Sequence, residues 1–107
     1  MNINANAALK DHKNSKMVQM SAVQYKIMPK SPDTDLKEIK IHAEKKIKEL
    51  GGNPSFSEEQ PIAFGLKALV LSFAFPEEKE IDNVGNAIQK IEGVSSVEMI
   101  DYRRALG

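Results

Sequence analysis

The chain has 107 residues, of which 41% are hydrophobic, and its 15 basic residues are balanced by 15 acidic ones, so the formal net charge is zero. This length suits one domain with a hydrophobic core, and the balanced charge argues against nucleic acid binding through a general basic excess. The absence of cysteine excludes disulfides and thiolate metal sites, and with only two histidines we expect no cofactor and no metal site.

Residues 1–16 carry almost no large apolar side chain and show no sustained period. For that reason we interpret them as a flexible N-terminal extension. They also lack the apolar segment of a secretory signal, so we do not expect one here. Residues 17–107 then form the folded domain. No apolar run reaches the roughly 20 residues needed to span a bilayer, so we expect a cytoplasmic protein with no membrane contact.

The first predicted elements are a strand and a helix. Residues 23–27 alternate apolar and polar side chains, which is the period of a half-buried strand, and Pro29 and Pro32 end it. Asp33 or Asp35 can cap the helix that follows. The apolar residues of this helix recur at steps of three or four: Leu36, Ile39, Ala43, Ile47 and Leu50. Gly51 and Gly52 follow and end the helix.

The second half of the chain repeats the pattern with one more strand. Residues 54–60 are a polar strand candidate suited to a sheet edge, and residues 61–65 connect it to a strong strand over residues 66–75. A second helix begins after Pro76 with an acidic first turn, favourable against the helix dipole. Its stripe is Ile81, Val84, Ile88 and Ile91, and Gly93 precedes a last strand over residues 94–102.

The order β-α-β-β-α-β predicts the fold class. Each half is a strand–helix–strand crossover, and right-handed crossovers put both helices on one face of the sheet. We therefore predict an α+β, ferredoxin-like sandwich with a four-stranded antiparallel sheet. The turn after the second strand and the end of the fourth strand should lie at opposite ends of that sheet, about 30 Å apart.

No grouping of side chains suggests covalent chemistry. His42 lies on a lysine-rich helix face and is interpreted as a solvated surface residue rather than a catalytic one. Two other features stand out: Phe64, in the turn after the second strand, and the paired Arg103 and Arg104 at the C-terminus. Spacing alone favours a buried Phe64 over an exposed anchor, and it favours a solvated basic tail over cations aimed at a phosphate.

Three segments share motifs and spacing with one known family. They are M-P-x-S-P-x-x-D-L over residues 28–36, P-I-A-F-G-L-K-A-L over residues 61–69, and I-E-G-V-S-S-V-E over residues 91–98. From about Met17 to Arg104 the chain resembles the archaeal form of elongation factor 1-beta. The resemblance implies the same fold and replacement of GDP by GTP on elongation factor 1-alpha, bound in its GDP and nucleotide-free states, without covalent chemistry.

The resemblance also implies two contact sites. In related eukaryotic exchange domains, one end disrupts the Mg²⁺ site of the GTPase with a lysine near the C-terminus, and the other end contacts the second GTPase domain through an aromatic in a Gly-Phe-Gly-type turn. By position the aromatic is Phe64, with Gly65 and Ile62 in the same partner-binding segment, and the basic residue is Arg104, with Arg103 beside it. Here Ala63 replaces the first glycine, and an arginine replaces the lysine.

Two other functions stay open on the sequence. One is a ferredoxin-like regulatory or small-ligand-binding module that dimerises through its sheet face, which predicts an exposed apolar sheet or helix edge. The other is an RNA-binding domain of unusual composition, which needs aromatics on the exposed sheet face. The aromatics of the third predicted strand, Phe73 and Phe75, share the face of Leu69 and Leu71 and are expected in the core instead.

Overall fold

A computed structural model describes residues 19–104, and the predicted N-terminal extension over residues 1–16 lies outside them. The elements follow the predicted order. They are β1 (Met20–Pro29), α1 (Leu36–Glu49), β2 (Asn53–Pro61), a short 3-10 turn (Ala63–Gly65), β3 (Lys67–Pro76), α2 (Asp82–Gln89) and β4 (Val94–Arg104).

The four strands form one sheet in the order β2-β3-β1-β4. Every neighbouring pair is antiparallel, and β1 is hydrogen-bonded to β3 on one side and to β4 on the other. Side chains of both helices pack in one cluster with those on a single face of the sheet. The ferredoxin-like prediction is therefore confirmed.

Helix α1 begins and ends as its sequence predicts. Asp35 is the N-cap, and its Oδ1 accepts hydrogen bonds from the backbone N–H groups of Lys37 at 3.0 Å and Glu38 at 3.4 Å. After the helix, Gly51 adopts a φ of 104°, a conformation that glycine adopts without the strain of a side chain. These signals fix where the chain turns back into the edge strand β2.

The core lies between the helices and one face of the two central strands. Facing pairs on β1 and β3 include Val23 with Phe73 and Ile27 with Leu69, and all four side chains are at most 2% exposed. The helices cover them with six buried apolar residues: Leu36, Ile39, Ala43, Ile47, Val84 and Ile88. Burial of this apolar area is the main term that holds the sandwich together.

Tyr25 connects this core to the start of α2. Its ring packs edge-on against Phe73, with the centroids 5.4 Å apart, and its hydroxyl donates a hydrogen bond to the carbonyl of Ile81 at 3.2 Å. A Cβ at Gly85 would lie 3.4 Å from the tyrosine oxygen. Burial, with a smaller contribution from the Asp82 carboxylate, raises the pKa of Tyr25 from 10.0 to about 12.

Because the pKa of Tyr25 is raised in the folded state, the wild-type protein should lose stability at alkaline pH. Tyr25→Phe has no ionisable group at this position and should not show this loss. The neutral phenol is favoured in the folded state, so its contribution is complete below pH 10 and is lost as the pH rises towards about 12. At pH 7 the variant should be less stable by roughly 1 kcal/mol, because it lacks one hydrogen bond. Urea unfolding of both proteins at several pH values tests this: the stability gap should shrink above pH 10, and a gap that is independent of pH contradicts the prediction.

Candidate functional site

One end of the sheet carries an aromatic ring in open solvent. Phe64 sits in the 3-10 turn between β2 and β3, and its side chain is 93% exposed. The turn is closed by backbone bonds, from the Ile62 N–H to the Leu66 carbonyl at 2.8 Å and from the Leu66 N–H to the Ala63 carbonyl at 3.2 Å. The ring itself therefore does not hold the turn together.

The burial of Phe64 favoured by spacing alone is wrong, and the backbone explains why. Phe64 has a φ of 61° and ψ of 32°, the left-handed region that residues with a side chain rarely adopt. Gly65 follows with a φ of 73° and open space where a Cβ would lie, so its conformation and not crowding favours glycine there. Two successive left-handed residues turn the ring away from the core, while Ile62 remains partly buried beside it.

The two arginines lie at the last row of the sheet. Arg104 pairs with Ser21 and Arg103 with Ala22, at the start of β1. Since successive strand residues point to opposite faces, the two guanidinium groups leave the strand on opposite sides.

Each arginine has its own carboxylate partner. Arg103 Nε is 3.2 Å from Asp101 Oδ2 on the face opposite the helices, and Arg104 Nη2 is 3.5 Å from Glu77 Oε1 on the helix face. Both arginine side chains remain more than two-thirds exposed. Both arginines are thus exposed, as the interpretation of a solvated basic tail requires, but each is ion-paired with a carboxylate.

A β-bulge decides which arginine faces the helices. Between Gln24 and Tyr25 the register shifts, so that Asp101 faces Gln24, Met99 faces Tyr25, and Ile100 is the extra residue. Without this extra residue every following side chain of β4 would point to the other face. The bulge thereby places Tyr102 and Arg104 on the helix face, the same face as Val97 and Met99, which precede it.

Phe64 and Arg104 are at opposite ends of the molecule, as predicted from topology. The Phe64 turn precedes Lys67, the first residue of β3, whereas Arg104 pairs with Ser21, which lies opposite Phe75 near the end of β3. At about 3.3 Å per residue the two positions are roughly 30 Å apart. They cannot act on one small ligand, but they can contact one large partner at two points.

Two clefts lie among residues 19–104, and neither joins the two ends. A cleft of about 420 Å³ lies beside the Phe64 turn, and its lining includes Lys37, Glu59, Gly65 and Lys67. A larger groove of about 820 Å³ runs between the two helices and includes His42. His42 is 54% exposed, with its Nε2 3.4 Å from Glu38 Oε1, which agrees with the predicted surface role.

The sheet face opposite the helices mixes charged and polar side chains with mostly small apolar ones. Val70 in its centre is only 3% exposed, and the ladder places Glu58 and Lys26 on either side of it. The one aromatic on this face among residues 19–104 is Phe56, on the edge strand β2 and 54% exposed. In the described part of the chain, this face has no platform of aromatics on the central strands for RNA bases. The exposed apolar edge that the dimer alternative predicts has a counterpart in Met99, Ile100 and Tyr102 of the edge strand β4.

Within residues 19–104, no three His, Cys, Asp or Glu residues are grouped so that they could hold a metal ion. No helix among these residues is long and apolar enough to cross a membrane.

Comparison with known proteins gives one consistent result. The family model described as "EF-1 guanine nucleotide exchange domain" matches residues 22–104. The chain is 39% identical over 82 residues to elongation factor 1-beta of Methanothermobacter thermautotrophicus, covering 76% of this chain and 91% of the relative. It is 40% identical over 90 residues to elongation factor 1-beta of Methanosarcina barkeri, covering 78% and 94%, and 42% identical over 80 residues to that of Archaeoglobus fulgidus, covering 74% and 90%.

The exposed, left-handed Phe64 predicts an unusual response to mutation. Phe64→Asn should leave the free energy of unfolding unchanged or raise it by up to about 1 kcal/mol, because asparagine tolerates this conformation and no buried area is lost. Phe73→Ala, at a position that is 2% exposed, should lose roughly 3–5 kcal/mol. Urea unfolding of both variants checks the contrast, and a loss of more than about 1 kcal/mol in Phe64→Asn means that the ring is packed in solution.

Proposed function

This chain belongs to the EF-1 guanine nucleotide exchange family, and we propose that it promotes release of GDP from elongation factor 1-alpha and loading of GTP. The matched residues 22–104 take in all but the first two residues of the described secondary structure. Acting on a GTPase that serves the ribosome, the protein would work in the cytoplasm.

The proposed mechanism is a two-point clamp on the GTPase. Phe64, supported by Ile62 and Gly65, inserts into a pocket of the partner at one end of the sheet, and Arg104, with Arg103, reaches the Mg²⁺ and phosphate region at the other. The observation that carries this proposal is the fully exposed ring of Phe64 on a turn that does not need it. Exposed aromatics seated in a partner's pocket are the residues that most often dominate binding energy.

The arginines suit the opposite end because of their charge and geometry. A guanidinium presents five N–H donors in a planar fork that matches phosphate oxygens. A cation brought beside the Mg²⁺ of the GTPase repels that ion and competes for the phosphate oxygens that it bridges. Loss of Mg²⁺ weakens the hold on GDP and raises its rate of release.

Exchange by this route needs no bond to be made or broken by the factor. A partner that binds the nucleotide-free GTPase more tightly than the loaded form must weaken nucleotide binding by the same factor. The factor then speeds exchange in both directions, and the excess of GTP over GDP decides which nucleotide is loaded.

Phe64→Ala should weaken the anchor without unfolding the protein. Truncating an aromatic hot spot costs about 2 kcal/mol or more, which corresponds to roughly a 30-fold higher half-saturating concentration of factor. The measurement is release of labelled GDP from elongation factor 1-alpha over a range of factor concentrations. Phe56→Ala is the matched control, since it removes the same ring from another exposed position and should retain wild-type kinetics; equal behaviour of the two variants contradicts the anchor.

Arg104→Ala should slow the maximum rate of GDP release at saturating factor. Loss of a charged hydrogen bond to a phosphate costs roughly 1.5–3 kcal/mol, at least about tenfold in rate. Lys90→Ala, which removes one exposed positive charge from the groove between the helices, controls for net charge. If Arg103 and Arg104 can both be replaced by alanine with the release rate unchanged, the proposed role of the C-terminal end is wrong.

A further inference from the structure

We propose that Glu77 is a positioning residue for exchange: its carboxylate holds the guanidinium of Arg104 across the end of β1, in the place from which it meets the GTPase. This inference rests on the proposed function of Arg104. It concerns a residue outside the three segments that carry the family resemblance.

Glu77 is a fixed and largely buried carboxylate. It directly follows β3, and its backbone N–H donates to the carbonyl of Gln19 at 2.9 Å, which extends the ladder one row beyond the pair of Met20 and Pro76. Its side chain is only 15% exposed. Glutamate is rarely buried without a partner of opposite charge, so this placement calls for a cation nearby.

Arg104 reaches this carboxylate from the other side of β1. It starts on β4, whereas Glu77 extends from β3, so two interstrand spacings of about 4.8 Å separate the two chains. The residue of β1 beside Arg104 is Ser21, a small side chain that is 2% exposed. Its Oγ donates to the Tyr102 hydroxyl at 3.0 Å, and Arg104 Nη2 comes within 3.5 Å of Glu77 Oε1.

The pairing restricts the arginine without hiding it. Arg104 approaches the carboxylate with Nη2, and its side chain is 71% exposed, which leaves much of the guanidinium accessible to phosphate oxygens. A free arginine at the end of a strand samples many rotamers, and ordering it against the phosphates during the release step is unfavourable. An ion pair that already orders the guanidinium lowers the cost of that step, so Glu77 should affect the saturated rate of release.

The same contact is too weak to be a latch. Its arginine partner is exposed, and exposed ion pairs shift equilibria by no more than about fivefold. The guanidinium can keep this contact while its other N–H donors bind phosphate oxygens. Arg103 is held by Asp101 on the opposite face, so the effect of Glu77 should be confined to Arg104.

Glu77→Gln tests the role of this carboxylate in the full chain. At saturating factor, GDP release from elongation factor 1-alpha should be about two- to fivefold slower than with the wild type, and the half-saturating concentration should stay nearly unchanged. Glu78→Gln, an adjacent exposed position, makes the same change in net charge and should retain the wild-type rate. In an Arg104→Ala background, Glu77→Gln should have no further effect, a non-additivity that general loss of structure does not produce.

The outcomes separate the two ideas. If Glu77→Gln speeds release, the carboxylate restrains Arg104 and the positioning role is wrong. Two further outcomes contradict the positioning role, provided that Arg104→Ala by itself slows release. One is a Glu77→Gln variant with the wild-type rate. The other is a Glu77→Gln effect that is as large in the Arg104→Ala background as in the wild type. If the wild-type protein does not accelerate GDP release, the proposed function fails first. Should Glu77→Gln be partly unfolded at the assay temperature, Glu77→Asp replaces it; it keeps the charge with a shorter reach and should show a smaller loss of rate.

Discussion

Hydrogen bonding of β1 on both of its edges is the constraint on which the rest of the molecule depends. β3 takes its register from one edge and β4 from the other. The positions of both candidate contact ends, the Phe64 turn before β3 and Arg104 on β4, therefore depend on β1. Its inward residues Val23, Tyr25 and Ile27 are at most 3% exposed. A slip of one residue would turn them to the solvent, which is why the register is firmly specified and why the two ends stay a fixed distance apart.

The two ends are built on opposite principles. At the Phe64 end, backbone hydrogen bonds close a tight turn and leave a ring with no intramolecular task. At the Arg104 end, side chains hold one another, with Ser21 bonded to Tyr102 and Glu77 paired with Arg104. One end therefore presents apolar area on a rigid support, and the other presents charge whose direction depends on a neighbour. The proposed two-point clamp on the GTPase uses both kinds of surface.

The element order, the core stripes and the caps of α1 follow from the sequence because each rests on local chemistry or on periodicity. The Asp35 cap, Gly51 after the helix, and the alternation in β1 and β3 all appear where they were predicted. The exposure of Phe64 did not follow from its spacing, since apolar character favours burial and the left-handed backbone is not visible in that spacing; the resemblance, which implies a partner-binding aromatic at this position, was the signal that suggested it. The bulge at Ile100 and the partner role of Glu77 were also missed. Both depend on contacts between strands that are distant in sequence, and simple alternation along β4 predicts the wrong face for its last residues.

The left-handed turn has a consequence for how fast two proteins meet. In the proposed clamp, the ring of Phe64 already projects from a turn closed by backbone hydrogen bonds, so contact at this end requires no loop of this chain to open first. A chain of zero formal net charge gains little from long-range attraction, which leaves this ready shape as its main kinetic advantage. The backbone dihedral angles that expose the ring are thus set when the chain folds, and they need not change at each encounter with a partner.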